Sequence, residues 1–273
     1  MTVIRASDIS FQYRENKKSI ENINFSIEPG KITAILGKNG SGKTTIIRLI
    51  LALLPLNEGK IYINNVDLQS KDGIKYIRKQ CGIVFQNPDN QFVSPILEDD
   101  IKFGLSNHCI PESLHSDCVK SALDKVNLSG FEKRKISTLS GGQKQRAAAA
   151  GILAIDNNIL FFDEAGSMLD PNGKAELRKL IEELRNQNKT IVLVSQNIDD
   201  VITADRIILI SDHRIICSGS AREVLTDYEK LTEAGIQIPF AVRVYKDLLQ
   251  KGIKLKKCPL TIDELAEEIW NLN

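Results

Sequence analysis

The chain has 273 residues, 42% of them hydrophobic and 26% charged, with a formal net charge of +1, a composition that fits a soluble globular protein of one large or two smaller domains. The near-balance of 36 basic against 35 acidic residues argues against a nucleic-acid-binding surface, which carries a basic excess. The five cysteines (81, 109, 118, 217 and 258) are odd in number and form no CxxC pair, so neither a disulfide framework nor a zinc site is expected and a reducing cytosolic compartment is the simplest reading.

The opening segment, MTVIRASDIS, has no apolar h-region and does not read as a signal peptide. VIRASDISFQY (3–13) and INFSIEPG (23–30) alternate apolar and polar residues and predict antiparallel strands, joined by the polar turn RENKKS at 14–19. KITAILG (31–37) is a short apolar strand entering glycines, and TTIIRLILALL (44–54) predicts a helix. The run IIRLILALLPL (46–56) is the nearest approach to a membrane span, but it is short and carries Arg48. A span needs roughly 18–20 apolar residues, so any membrane role is expected to be peripheral.

GKIYINNVDL (59–68) and CGIVFQ (81–86) predict further strands. From about 87 to 157 the chain reads as a helical insertion, with helices in HSDCVKSALDKVNL and GGQKQRAAAAGILA. A strand in NNILFFDEA (157–165), a helix in GKAELRKLIEELRNQ and a strand in KTIVLVSQ (189–196) follow. ADRIILISDHRIICSG (204–219) predicts a hairpin turning at Asp212–Arg214, and residues after about 230 predict helices. Short strands alternating with helices imply a parallel sheet covered on both faces.

Gly37 and Gly42-Lys43-Thr44 fit GxxxxGK[ST], in the stretch GKNGSGKTT at 37–45. An ordinary glycine turn would not explain the strand before it and the helix after it. The loop residues Gly37, Asn39, Gly40, Ser41, Gly42 and Thr45 offer backbone N–H groups to phosphate oxygens, aided by the positive end of the following helix. Lys43 is placed for the β- and γ-phosphates and the Thr44 hydroxyl for Mg²⁺. A partner for the metal should be an acid ending a buried strand, and ILFFDE supplies Asp163, with Glu164 one residue farther out as general base for an attacking water.

A second glycine pair stands in LSGGQKQR at 139–146. Ser140 as an N-cap ahead of Gly141, Gly142 and Gln143 makes another anion-binding helix end, although a simply capped helix would look the same. The phosphate loop, Gln86, LSGGQ and the Asp163-Glu164 pair, in this order, resemble the ATP-binding cassette (ABC) ATPases from about residue 3 to 228. That resemblance implies an α/β fold: a P-loop NTPase core sheet of RecA type, an antiparallel β subdomain, a helical insertion, and a small C-terminal helical extension. The domains expected are an ATPase domain at 1–230, with its helical subdomain at about 87–157, and an extension at 231–273.

In that family two cassettes pair head to tail, and each ATP lies between one phosphate loop and the other's signature serine. The resemblance further implies that Tyr13 stacks on adenine, that Gln86 senses Mg²⁺ and the γ-phosphate, and that Ser167-Met168-Leu169-Asp170 crosses the dimer interface. Ala165-Gly166 departs from the family's Pro-Thr. Gln196 stands in LVSQNIDD where the family has a histidine that contacts the γ-phosphate; the histidines at 108, 115 and 213 fall elsewhere in the alignment. An amide donates a hydrogen bond but carries no proton, so this chain's own phosphate site is expected to hydrolyse slowly.

VFQNPDNQF (84–92) followed by EDDIKFGLSN (98–107) is similar to the energy-coupling factor (ECF) ATPases, specifically the first of two vitamin-type paralogues, with cobalt and nickel types as close relatives. The tail ending TIDELAEEIW resembles that group's dimer-holding extension; a generic pair of amphipathic helices would read alike. The partners implied are a second ATPase, a transmembrane coupling protein received near Phe92–Phe103, and a membrane substrate-binding subunit, at the cytoplasmic face of the cell membrane. The alternative is a soluble ABC ATPase acting on ribosomes or DNA. It is disfavoured because the 95 or so residues between Thr44 and Leu139 hold no coiled-coil heptads and the chain has no basic excess.

Overall fold

The computed structural model describes residues 2–13 and 18–272; of the predicted turn at 14–19, residues 14–17 lie outside the described residues. Strands β1 (Ile4–Gln12) and β2 (Lys18–Ile27) pair antiparallel, Ile4 against Ile27. Strand β3 (Ile32–Gly37) then leads into helix α1 (Lys43–Ile50). The predicted helix to residue 54 stops early. Ala52 turns left-handed at φ 53, and the Leu53 N–H closes back on the Arg48 carbonyl at 2.8 Å, the six-to-one bond that ends helices.

The single strand expected at 59–68 is instead a hairpin of β4 (Glu58–Ile63) and β5 (Val66–Asp67). Asn64 and Asn65 both adopt positive φ between them, the geometry of a two-residue type I′ turn. Next come α2 (Gly73–Gln80) and β6 (Cys81–Val84), and then three helices, α3 (Leu97–Asn107), α4 (Glu112–Lys125) and α5 (Gly141–Ile155), before β7 (Ile159–Asp163). Helix α6 (Pro171–Asn186), β8 (Thr190–Ser195), β9 (Arg206–Ser211) and β10 (Arg214–Gly219) complete the sheets. The chain closes with α7 (Ala221–Leu225), α8 (Tyr228–Glu233), α9 (Phe240–Gln250) and α10 (Ile262–Trp270).

The strands form two sheets, a four-stranded antiparallel one in the order β2-β1-β4-β5 and a six-stranded one in the order β10-β9-β3-β8-β7-β6. In the larger sheet β6, β7, β8, β3 and β9 run parallel, and β10 returns antiparallel. Successive residues of β7 go to opposite faces: Phe161 joins a core with Ile35, Ile47 and the antiparallel sheet, while Leu160 and Phe162 join the core of the helical layer with Ala148 and Leu123. Burial on both faces is why these strands read as unbroken apolar runs. All five parallel strands therefore present their C-terminal ends, Gly37, Val84, Asp163, Ser195 and Ser211, along one edge.

Helices α9 and α10 share a small core of Ala241, Leu255 and Leu265 with Val244, Tyr245 and Leu248. Arg222 on α7 holds this region by donating to the Cys258 carbonyl and to Glu264 Oε1, both at 2.7 Å. Among the described residues no helix is long and apolar enough to cross a membrane.

Candidate active site

The loop between β3 and α1 is shaped by glycines. A Cβ on Gly37 would lie 2.5 Å from the Ile210 carbonyl oxygen and 2.6 Å from Ser41 Oγ, so no side chain fits there. Gly40 and Gly42 take φ 81 and 104, a left-handed backbone that glycine adopts without cost. The Ser41 N–H and the Lys43 ammonium both donate to the Lys38 carbonyl, at 3.2 and 2.9 Å. The Ser41 hydroxyl is buried with no partner. Backbone donors turned inward ahead of a helix start form an anion cradle.

Asp163 ends β7 and is buried. It accepts a hydrogen bond from the Thr44 hydroxyl at 3.2 Å. Burial pushes its carboxyl above the usual carboxylate range, against the pull of Thr44. Glu164 sits at φ 48, a strained conformation for a residue with a Cβ and one that concentrates at functional sites; its N–H is held by the Val194 carbonyl at 3.0 Å. Its carboxylate lies 3.5 Å from the Lys43 ammonium and accepts from Gln86 Nε2 at 3.0 Å. Burial lowers the Lys43 ammonium from the ordinary lysine range, and Glu164 opposes that shift.

These groups surround an open cleft of ≈ 350 Å³, lined by Tyr13, Asn39, Gly40, Gly42, Lys43, Thr44, Thr45, Gln86 and Glu164. Tyr13 is propped edge-on against Phe11, ring centroids 4.9 Å apart. Gly37, Ser41 and Asp163 do not line the cleft themselves, and Asp163 is joined to it by its hydrogen bond with Thr44. Gln196 is not among the lining residues; it is exposed just past β8, whose last residue Ser195 donates to Asp200 Oδ2 at 2.8 Å.

The second glycine pair is elsewhere. Ser140 caps α5 in a reciprocal box: its hydroxyl accepts from the Gln143 N–H at 3.3 Å, and the Gln143 side chain accepts from the Ser140 N–H at 2.9 Å. Ser140, Gly142 and Gln143 line a separate cleft of ≈ 330 Å³ with Met168, Leu169 and Asp170. The two clefts have no residue in common, so within one chain the phosphate loop and the signature serine do not face a shared space.

One lining residue went unread in the sequence. His213, set aside there with the other histidines, lies in the turn between β9 and β10 and lines the same cleft as Tyr13 and Lys43. The reason is topological. Strand β9 pairs with β3, Ile210 against Gly37, so the turn that follows it emerges beside the phosphate loop. Only the strand order reveals that neighbour.

A model of the ABC transporter family matches residues 20–167. The energy-coupling factor transporter ATP-binding protein EcfA1 of Oenococcus oeni is 40% identical over 99% of this chain and 98% of its own length. The protein of the same name from Listeria monocytogenes is 36% identical over 99% of this chain and 97% of its own. Among solved structures, cbiO1 from Clostridium perfringens, part of the ABC transporter complex cbiONQ, superposes with a TM-score of 0.75 at 31% identity, covering 90% of this chain and 99% of that one. A post-hydrolysis dimer of the ATP-binding cassette MJ0796, bound to ADP and Pi, superposes with a TM-score of 0.74 at 26% identity, covering 80% of this chain and 99% of that one.

Proposed function

The chain belongs to the ABC transporter family and, within it, to the energy-coupling factor transporter ATP-binding proteins, and from that premise we propose that it powers an importer of that type, hydrolysing ATP at a head-to-tail pair of cassettes to drive uptake of a vitamin or other micronutrient. The observation that carries the reading is the convergence of Lys43, Thr44, Gln86 and Glu164 on one cleft above a glycine cradle.

In the reaction proposed, loop N–H groups and Lys43 bind the β- and γ-phosphates and stabilise the charge that builds up there. Glu164 accepts a proton from the water that attacks the γ-phosphorus in line, as the bond from that phosphorus to the bridging β–γ oxygen breaks, its electron pair leaves on ADP, and inorganic phosphate forms. Glu164 is tied to Lys43 and Gln86, so a phosphate bound at Lys43 must compete for its ammonium before the carboxylate is free to act. The residues suit Mg²⁺: a hydroxyl and a carboxylate 3.2 Å apart, with Gln86 at the cleft wall, form a hard oxygen set. Among the described residues no group of three His, Cys, Asp or Glu could hold a metal unaided, which fits an ion that takes its remaining ligands from phosphate and water. When bound, Mg²⁺ supplies charge neutralisation at the β- and γ-oxygens.

Tyr13 is assigned to the adenine and Gln196 to the γ-phosphate in place of histidine. Ser140, Gly141, Gly142 and Gln143 are assigned to the nucleotide of the opposing cassette, with Ser167–Asp170 at the seam. The separation of the two clefts supports this division. Met168, which lines the signature cleft, is about half exposed, at 49%, as a residue awaiting a partner would be.

The partners proposed are a second ATPase, which Gln196 favours as a paralogue with a histidine, a transmembrane coupling protein, and a membrane substrate-binding subunit, with this chain at the cytoplasmic face. Val93 and Phe103, on the chain that follows Gln86, are 66% and 52% exposed and offer apolar side chains to a coupling helix. The extension after residue 230 is assigned to dimer contacts. Action on ribosomes or DNA finds no support in the charge balance or in the relatives. Reconstitution of this chain with the membrane proteins of its transporter into vesicles tests the reading: ATP-dependent solute uptake that Lys43→Ala abolishes is expected, and full uptake with Lys43→Ala would refute it.

A further inference from the structure

His213 lines the cleft, yet the reaction outlined above gives it no part. Its position is fixed by the backbone. Asp212 and His213 take φ 44 and 68, the pattern of a two-residue hairpin turn whose second place favours glycine. The Glu21 N–H donates to the His213 carbonyl at 3.0 Å, and Arg214 Nε donates to Glu21 Oε2 at 2.7 Å, which ties the turn to β2. The sheet order sets its side of the cleft: β9 lies on one flank of β3, while β8 and, beyond it, β7, which ends at Asp163 and leads into Glu164, lie on the other. The chemistry of the γ-phosphate is thus assembled on the flank away from His213. Tyr13, at the end of the antiparallel sheet's β1, lines the cleft with it.

We propose that His213 is a nucleoside-binding residue, whose imidazole contacts the base or ribose of the nucleotide that Lys43 and Thr44 hold by its phosphates. This rests on the reading of the cleft as an ATP site. A flat ring with one N–H donor and one ring-nitrogen acceptor can stack on a purine or bond to its edge and to ribose hydroxyls.

The experiment is equilibrium binding of ATP, ADP and inorganic tripolyphosphate to the full chain and to His213→Gly and His213→Asn, with melting temperatures measured alongside. Both variants suit the left-handed turn, so they should melt at or above the parent. ATP and ADP should bind His213→Gly about tenfold more weakly, and tripolyphosphate should bind unchanged within about twofold. Unaltered ATP binding, an equal loss for tripolyphosphate, or unfolding of both variants would overturn the assignment. Failure of the underlying ATP reading looks different: the parent chain itself would not bind ATP, or would bind it equally well as Lys43→Ala.

Discussion

The Thr44 hydroxyl donates to Asp163 Oδ1 at 3.2 Å, joining the first turn of α1 to the end of β7 across 119 residues of chain. Burial raises the Asp163 carboxyl above its ordinary value of 3.8. Between that value and the higher folded one the folded state binds more protons than the unfolded state, so stability falls as pH rises through the window and the cost persists at neutral pH. Asp163→Asn should therefore raise the melting temperature of the nucleotide-free protein by about 2–4 °C and remove the further rise that Mg²⁺ with ATP gives the parent. Thermal scans with and without Mg²⁺ and ATP check both halves; a lower melting temperature without nucleotide would count against the burial cost.

Glu164 is assigned the proton of the attacking water. Glu164→Gln keeps a hydrogen-bonding group beside Lys43 but no base, so turnover should fall by about 10²–10⁴-fold while ATP affinity stays within a few fold. Steady-state phosphate release and nucleotide titration separate the two. An equal loss of affinity would mean that Glu164 serves to hold Lys43 rather than to take a proton.

Gly37→Ala tests the cradle's geometry. Ser41 Oγ can rotate away from the new methyl, but the Ile210 carbonyl at 2.5 Å belongs to a β-ladder and cannot. The substitution should cost about 1–3 kcal/mol of stability, seen as a lowered melting temperature, together with weaker ATP binding. Unchanged stability would show that β9 shifts more freely than its pairing implies.

Gln196→His restores an imidazole at the end of β8. Removal of one preorganised donor costs about 10²–10³-fold in rate, and an amide replaces part of it, so the gain in turnover of the assembled complex should be a smaller factor, about tenfold. An unchanged rate would indicate that Gln196 lies outside the reaction, in line with its exposed position.

What the sequence revealed and what it hid divide along sequence distance. The phosphate cradle was legible because strand, glycine loop and helix follow one another, and each step leaves a local mark. Asp163 was legible because β7 is buried on both faces and its acid ends an apolar run. Gln86 and Glu164 were each singled out, but their mutual hydrogen bond, between residues 78 apart, depends on β6 lying beside β7. His213 was hidden for the same reason: nothing near it in the chain marks the pairing of β9 with β3. Helix α2 was missed because its buried residues are Gly73 and Ile77 alone, too few for a periodic signal, and the Asn64-Asn65 turn was absorbed into a run that otherwise reads as one strand.

The proposal that this chain supplies half of each of two nucleotide sandwiches is tested most directly by molecular mass in solution. Glu164→Gln, with Mg²⁺ and ATP, would be weighed alone and mixed with the second ATPase of its transporter, with and without Ser140→Arg. The account predicts that ATP drives formation of a two-cassette species and that Ser140→Arg abolishes it while the chain still binds ATP at Lys43. Pairing that survives Ser140→Arg undiminished, or ATP held on chains that stay single in every mixture, would contradict it.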